Sequence, residues 1–230
     1  MIKRRPEDEK IFLPAWATSD FLVKWESWGF DLCFLPELDL ANYKFPTSWT
    51  DRPTKFFYRL IEEGRLPKEA AQLSGKWLLV DSRDKPVKRN FWLSRSETLL
   101  FEKIGLRPQN WLKNKKGQEY TNDYLSSILN QAGFATRFCL SFEDIERLKS
   151  LTAEILGVSP YKIRLPNFAE YNFLGNNFYP EWSKTKTWEW LQNQVGNDHL
   201  ASGCGSVGEL GLDPSDYWST ILGFRFVIEL

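Results

Sequence analysis

Residues 221–230 read ILGFRFVIEL, and the alternation of their side chains makes this last stretch a strand. Leu222, Phe224, Phe226, Ile228 and Leu230 fall on one face and Gly223, Arg225, Val227 and Glu229 on the other, the period of two of a half-buried extended chain. Immediately upstream, residues 201–220 read ASGCGSVGELGLDPSDYWST and residues 171–190 read YNFLGNNFYPEWSKTKTWEW, so that aromatics, small residues and short polar clusters replace an earlier helix-rich sequence. Within this part KTWEWLQNQVG is expected to be a short helix, capped by Thr187 and stopped by Gly196, with Trp188 and either Leu191 or Trp190 inward. Gly175, Asn176 and Asn177 mark a turn, while Pro160, Pro166 and Pro180 bar long helices.

Further back the punctuation is that of helices. Ser141 opens SFEDIERLKSLTAEIL, with Asp144 in the acidic place of a capping box, Ile145, Leu148, Leu151, Ile155 and Leu156 on the buried face, and Gly157 as the stop. Thr121 caps TNDYLSSILNQA, whose Tyr124, Leu125, Ile128 and Leu129 form a stripe closed by Gly133. KWLLVDSR reads as a strand, with Trp77, Leu79 and Asp81 alternating against Leu78 and Val80. RDKPVKRN and KNKKG, at 83–90 and 113–117, read as solvated charged loops. TKFFYRLIEE predicts an amphipathic helix with Phe56, Phe57, Leu60 and Ile61 on one stripe and Gly64 past its end, and a second short helical piece spans 68–73. Earlier still, FLVKWESWGFDLCFL is compatible with a helix or with two short strands. The shift in composition near Val158 marks the best subdomain boundary.

Composition narrows the function classes. With 230 residues, 42% of them hydrophobic, the chain can bury a substantial core. Its 11 Trp, 17 Phe and 8 Tyr are too many to lie all on the surface, since each buried ring contributes about 150–250 Å² of contact. Thirty basic residues balance thirty acidic ones, so no overall field draws in a phosphate backbone, and nucleic acid is not expected as a partner. Cys33, Cys139 and Cys204 are odd in number and far apart, which argues for free thiols. The apolar piece IFLPAWA near the amino terminus is broken by Pro14, whereas a secretory signal needs about 7–15 unbroken apolar residues and a spanning helix about 20. No membrane insertion is expected, and the chain is read as soluble and, by default, cytoplasmic.

Candidate chemistry is sparse. His199 is the single histidine, so any triad, dyad or histidine-bound metal centre would have to use it. It lies five residues from Cys204 in a glycine-rich run and is expected in an exposed loop, where nothing fixes a catalytic geometry for the pair. GCGSVGELG lacks the GK[ST] ending of a phosphate loop, and Gly203, Gly205, Gly208 and Gly211 read as loop residues with unusual backbone angles. Asp213, Ser215 and Asp216 carry oxygens suited to calcium but lack the spacing of an EF-hand, so no cofactor is expected and calcium is left open.

Taken together, EYNFLGN, YPEWSKTKTWEW, the glycine-spaced run and LGFRFVIEL resemble the carboxy-terminal pattern of the C-type-lectin-like fold in the formylglycine-generating and sulfatase-modifying superfamily. LSGKWLLVDSR with Lys85 and Pro86, and the later RLPNF, are similar to a particular group within it, the variable proteins diversified by retroelements. The likeness is good over 171–230 and loose over 73–166. It implies an α+β, C-type-lectin-like domain over 71–230, with short strands, few helices and long loops, preceded by an aromatic-rich, mixed helical region over 1–70. Oxygenases of the superfamily hold copper with paired cysteines and its iron-dependent members use several histidines, sets that Cys204 alone and His199 alone do not supply.

The resemblance thus implies a non-catalytic protein that displays a variable loop surface to an unknown protein or glycan ligand. Asn197, Asp198, His199, Cys204, Ser206, Val207, Asp216, Tyr217 and Trp218, short polar or aromatic residues of the kind paratopes use, are the expected contact residues. Two alternatives are a metal-dependent, oxygenase-like enzyme of the same fold and a phage or cell-surface assembly protein. The histidine and cysteine counts weigh against the enzyme. Trp188 and Phe224 are expected in the core and Trp218 on the surface.

Overall fold

The computed structural model describes residues 1–83, 128–129, 131–134, 137–219 and 221–230. In chain order the strands there are β1 (Ile2–Lys3), β2 (Phe30–Asp39), β3 (Gln72–Asp81), β4 (Ile163–Arg164), β5 (Trp188–Val195), β6 (Asp198–Ser202), β7 (Leu210–Pro214), β8 (Leu222–Gly223) and β9 (Val227–Glu229). They build a five-stranded sheet, β1-β2-β3-β9-β4, and a four-stranded one, β7-β6-β5-β8. Helices α1 (Ser19–Ser27), α2 (Lys55–Glu62), α3 (Phe142–Leu156) and α4 (Phe168–Asn177) pack around them, giving a mixed α+β architecture.

Alternation along the strands sorts the core in two. Cys33 and Leu35 of β2, Leu78 and Val80 of β3 and Val227 of β9 join Phe57 and Leu60 of α2 and the buried face of α4 in one cluster. Phe30, Leu32, Leu79 and Ile228, on the opposite face of the same strands, join Trp25 of α1 and Ile145, Leu148 and Leu156 of α3 in the other. The four-stranded sheet repeats the division, with Leu191 and Leu200 in the first cluster and Trp190 and Ala201 in the second. A sheet covered on both faces makes neighbouring residues apolar, which is why single-residue periodicity reads poorly there.

Several sequence expectations meet the structure directly. α3 starts at Ser141, whose hydroxyl and the Asp144 carboxylate form a reciprocal capping box, and ends at Gly157 in the left-handed region, as expected. β3 and α2 lie where expected, and FLVKWESWGFDLCFL divides into the end of α1 and the start of β2. Ile128 and Leu129 are helical and buried, while Thr121, Tyr124 and Leu125 of the same expected helix lie outside the described residues. So do both expected charged loops apart from Arg83, which pairs with Asp81 and is not a solvated side chain.

Three expectations are corrected. Trp188–Val195 is a strand and not a helix: Val195 pairs with Asp198 across a two-residue Gly196-Asn197 turn, so Gly196 opens a hairpin and stops no helix. Gly175, Asn176 and Asn177 lie in α4 rather than in a turn, because Asn167 and Glu170 form a capping box behind Pro166 and the helix is buried over nearly its whole length. The closing stretch is two strands, β8 beside β5 in one sheet and β9 between β3 and β4 in the other. β2 and β3, on either side of residue 70, pair from Phe30 opposite Asp81 to Asp39 opposite Gln72.

Candidate functional site

Between β8 and β9 the chain crosses from one sheet to the other, and Arg225, fully buried, occupies the crossing. Its Nε and Nη2 donate to the two carboxylate oxygens of Glu189 on β5 at 3.0 and 3.1 Å, a bidentate pair. Nη1 donates to the Arg83 carbonyl at 3.0 Å and to the Asp81 carbonyl at the end of β3. Trp182 lies under the guanidinium, 3.9 Å from ring centre to carbon, and stacks in turn on Tyr179 and Tyr171. Burial pushes the Asp81 carboxyl upward, but the Arg83 charge and hydrogen bonds, with Arg225 behind them, hold it well below the usual carboxylate range.

This cluster clamps the two sheets together, its charges paired with one another inside the packed core. Sequence reading misses it, although two signals are present: Arg225 is the one charge in LGFRFVI and Glu189 the one charge in WEW. Trp182 and Glu189 of YPEWSKTKTWEW and Arg225 of LGFRFVIEL therefore meet at one point.

The expected contact residues do not form one surface. Asn197 and Asp198 at the β5–β6 turn and Asp216 and Tyr217 after β7 gather at one end of the four-stranded sheet, where the Ser215 hydroxyl donates to the Asn197 carbonyl at 3.4 Å. Cys204, Ser206 and Val207 belong to the connection at the other end of β6, a five-residue strand and so roughly 13 Å away. Trp218 is half-buried, as is Trp188; the fully buried tryptophan of the WEW triplet is Trp190, while Phe224 is core as expected.

Two of the nine are corrected outright. Val207 is fully buried against α4, so close that a Cβ on Gly175 would stand 2.6 Å from its Cγ1, and its carbonyl accepts from Asn172 at 3.0 Å. His199 is not in an exposed loop but on β6, with its ring stacked on Phe142 at 3.4 Å, and burial lowers its pKa below the ordinary histidine value. Gly208 is required by space and not by backbone angle, since a Cβ there would meet the Arg52 carbonyl oxygen at 2.2 Å. Glycine at 203 does adopt the expected left-handed region, with φ 110°.

Along β7, where the link to β8 crosses back over the sheet, lies a cleft of about 270 Å³ on the side of the sheet that packs on the second cluster. Trp188 and Tyr217 wall it, Gly211, Leu212 and Asp213 of β7 line it, and Ile221 and Leu222 close it. Gly211 has no side chain to lift the Trp188 ring, which lies 3.6 Å from where a Cβ would be. Burial, and then the charge of Asp198, raise the Asp213 carboxyl above its ordinary value. Among the described residues, no group of three or more His, Cys, Asp or Glu side chains is placed to hold a metal ion, and no helix is long and apolar enough to cross a membrane. No family model, curated protein or solved structure matches the chain.

Proposed function

We propose that the chain is a non-catalytic ligand-binding protein of C-type-lectin-like fold, whose contact surface is the cleft walled by Trp188 and Tyr217 together with its rim at Asn197, Asp198 and Asp216. The cleft carries this reading: it brings two partly exposed aromatic side chains and a half-buried carboxylate to one concave place. Aromatic side chains that stay half-exposed beside polar groups offer a ligand large contact area with little ordering cost. Support for the fold assignment comes from two of the carboxy-terminal motifs, YPEWSKTKTWEW and LGFRFVIEL, whose Trp182, Glu189 and Arg225 converge on one clamp.

Diversification by a retroelement belongs to the same reading, confined to fewer positions than the whole of 197–219. Leu200, Ala201, Ser202 and Val207 are buried, and changes there would disturb the frame. Asn197, Asp216 and Tyr217 are exposed, and substitutions there are expected to be tolerated. A template repeat beside a reverse-transcriptase gene, differing from the coding sequence at adenines in these codons, is the expected gene neighbourhood; its absence removes diversification and leaves the binding surface.

The binding claim is tested by presenting the purified protein to arrays of recombinant cell-surface ectodomains and of glycans, with Tyr217→Ala alongside. At least one ligand is expected to bind the parent protein and to be lost by the variant at unchanged melting temperature. Equal binding by both, or no binding at all, overturns the proposal.

A further inference from the structure

The cleft has a definite size and a definite sign of charge. Its volume of about 270 Å³ lies just below the range of roughly 300–1,000 Å³ typical of pockets for drug-sized molecules, so it suits one side chain or one ring. Asp213 lines it, Asp198 stands on the neighbouring strand beside Pro214, and Asp216 follows in the turn after β7. Among the described residues no lysine or arginine lines it. The walls at Trp188 and Tyr217 are ring systems, whose negative faces attract a cation.

We propose that the cleft receives a basic side chain, arginine or lysine, from a partner protein, with the cationic head held between Trp188 and Tyr217 and paired with Asp213. This rests on the ligand-binding reading above and names the chemistry of its ligand. A neutral sugar would also use the aromatic faces, but it would leave Asp213 and Asp198 repelling one another in a partly desolvated wall. A cation relieves that repulsion and supplies a charge-assisted partner, of which the Asp213 carboxylate has none among the described residues. Arginine matches the site best, since its planar group stacks on a ring and pairs with a carboxylate at once.

The probe is Nα-acetylarginine amide, titrated into the ¹⁵N-labelled protein while the amide signals of Gly211, Leu212, Asp213 and Tyr217 are followed. Acetylcitrulline amide, the same shape without the charge, and methyl glycosides are run in parallel. Saturable shifts at these amides are expected for the arginine probe, with roughly tenfold weaker binding by the citrulline probe and by the Asp213→Asn variant. Because Asn removes an unfavourable charge from a half-buried place, that variant is expected to stay folded, which its own spectrum reports. Equal affinity for both amides, or no effect of Asp213→Asn, overturns the cationic assignment. Shifts with a glycoside but none with the arginine probe overturn it too, yet leave the cleft as a binding site. Silence from every probe overturns it as well, and the array comparison with Tyr217→Ala then decides the wider reading on its own.

Discussion

Arg225 is the residue on which the two sheets depend. Removing one member of the buried pair takes from the other its bidentate partner in a desolvated place, and Arg225→Met or Glu189→Leu alone is expected to cost about 3–5 kcal/mol. The double variant replaces both charges by apolar groups of similar length and is expected to cost much less than the sum, a coupling that a double-mutant cycle in urea measures directly. Simple additivity would mean that the pair does not act as a unit. Near it, Phe224→Ala opens a cavity in a fully packed cluster and is expected to cost about 3–5 kcal/mol, whereas half-buried Trp218→Ala costs clearly less. Equal shifts in melting temperature would contradict the placement of these two rings.

Elements differ in how well the sequence announces them, and the reason is where their partners lie. α3 was legible because its signals are local: Ser141 and Asp144 cap it and Gly157 stops it within its own residues. Ser141→Ala is accordingly expected to lose about 0.5–2 kcal/mol, measured by chemical denaturation. β5 was misread because both its faces are buried, Glu189 toward Arg225 and Trp190 into the second cluster, so that neither period stands out. The adjacent Gly196-Asn197 pair was the usable signal, a two-residue hairpin turn. The alternation in 222–230 was read correctly, yet nothing local shows that its two ends pair in different sheets. The candidate surface divides the same way: exposed Asn197, Asp216 and Tyr217 were legible from composition, while the burial of Val207 under α4 and of His199 under Phe142 depends on packing between distant segments.

At the scale of the whole molecule, depressed pKa values, those of His199, Asp81 and Glu229 among the described residues, bear on how stability responds to acid. His199 is held neutral by burial, so its contribution is complete above the ordinary histidine pKa of about 6.5 and is lost as pH falls below it toward the lowered value in the fold. Asp81 is depressed as well, and its contribution is complete above about 3.9 and is lost further into acid. Urea midpoints are thus expected to decline in two stages, and His199→Gln, with no charge to acquire, should flatten the first stage alone. An unchanged first stage would show that another group governs it. Above these windows the fold is a frame of two packed clusters joined at Arg225, and the rim of the cleft is proposed to change independently of it. That division is tested most directly by a library of all single substitutions over 189–225, displayed and selected for protease resistance. The account predicts broad tolerance at Asn197, Asp216 and Tyr217 and near-complete intolerance at Glu189, Val207, Gly208 and Arg225. Uniform tolerance along the stretch, or tolerance at Val207 and Arg225 with loss at the rim, would contradict it.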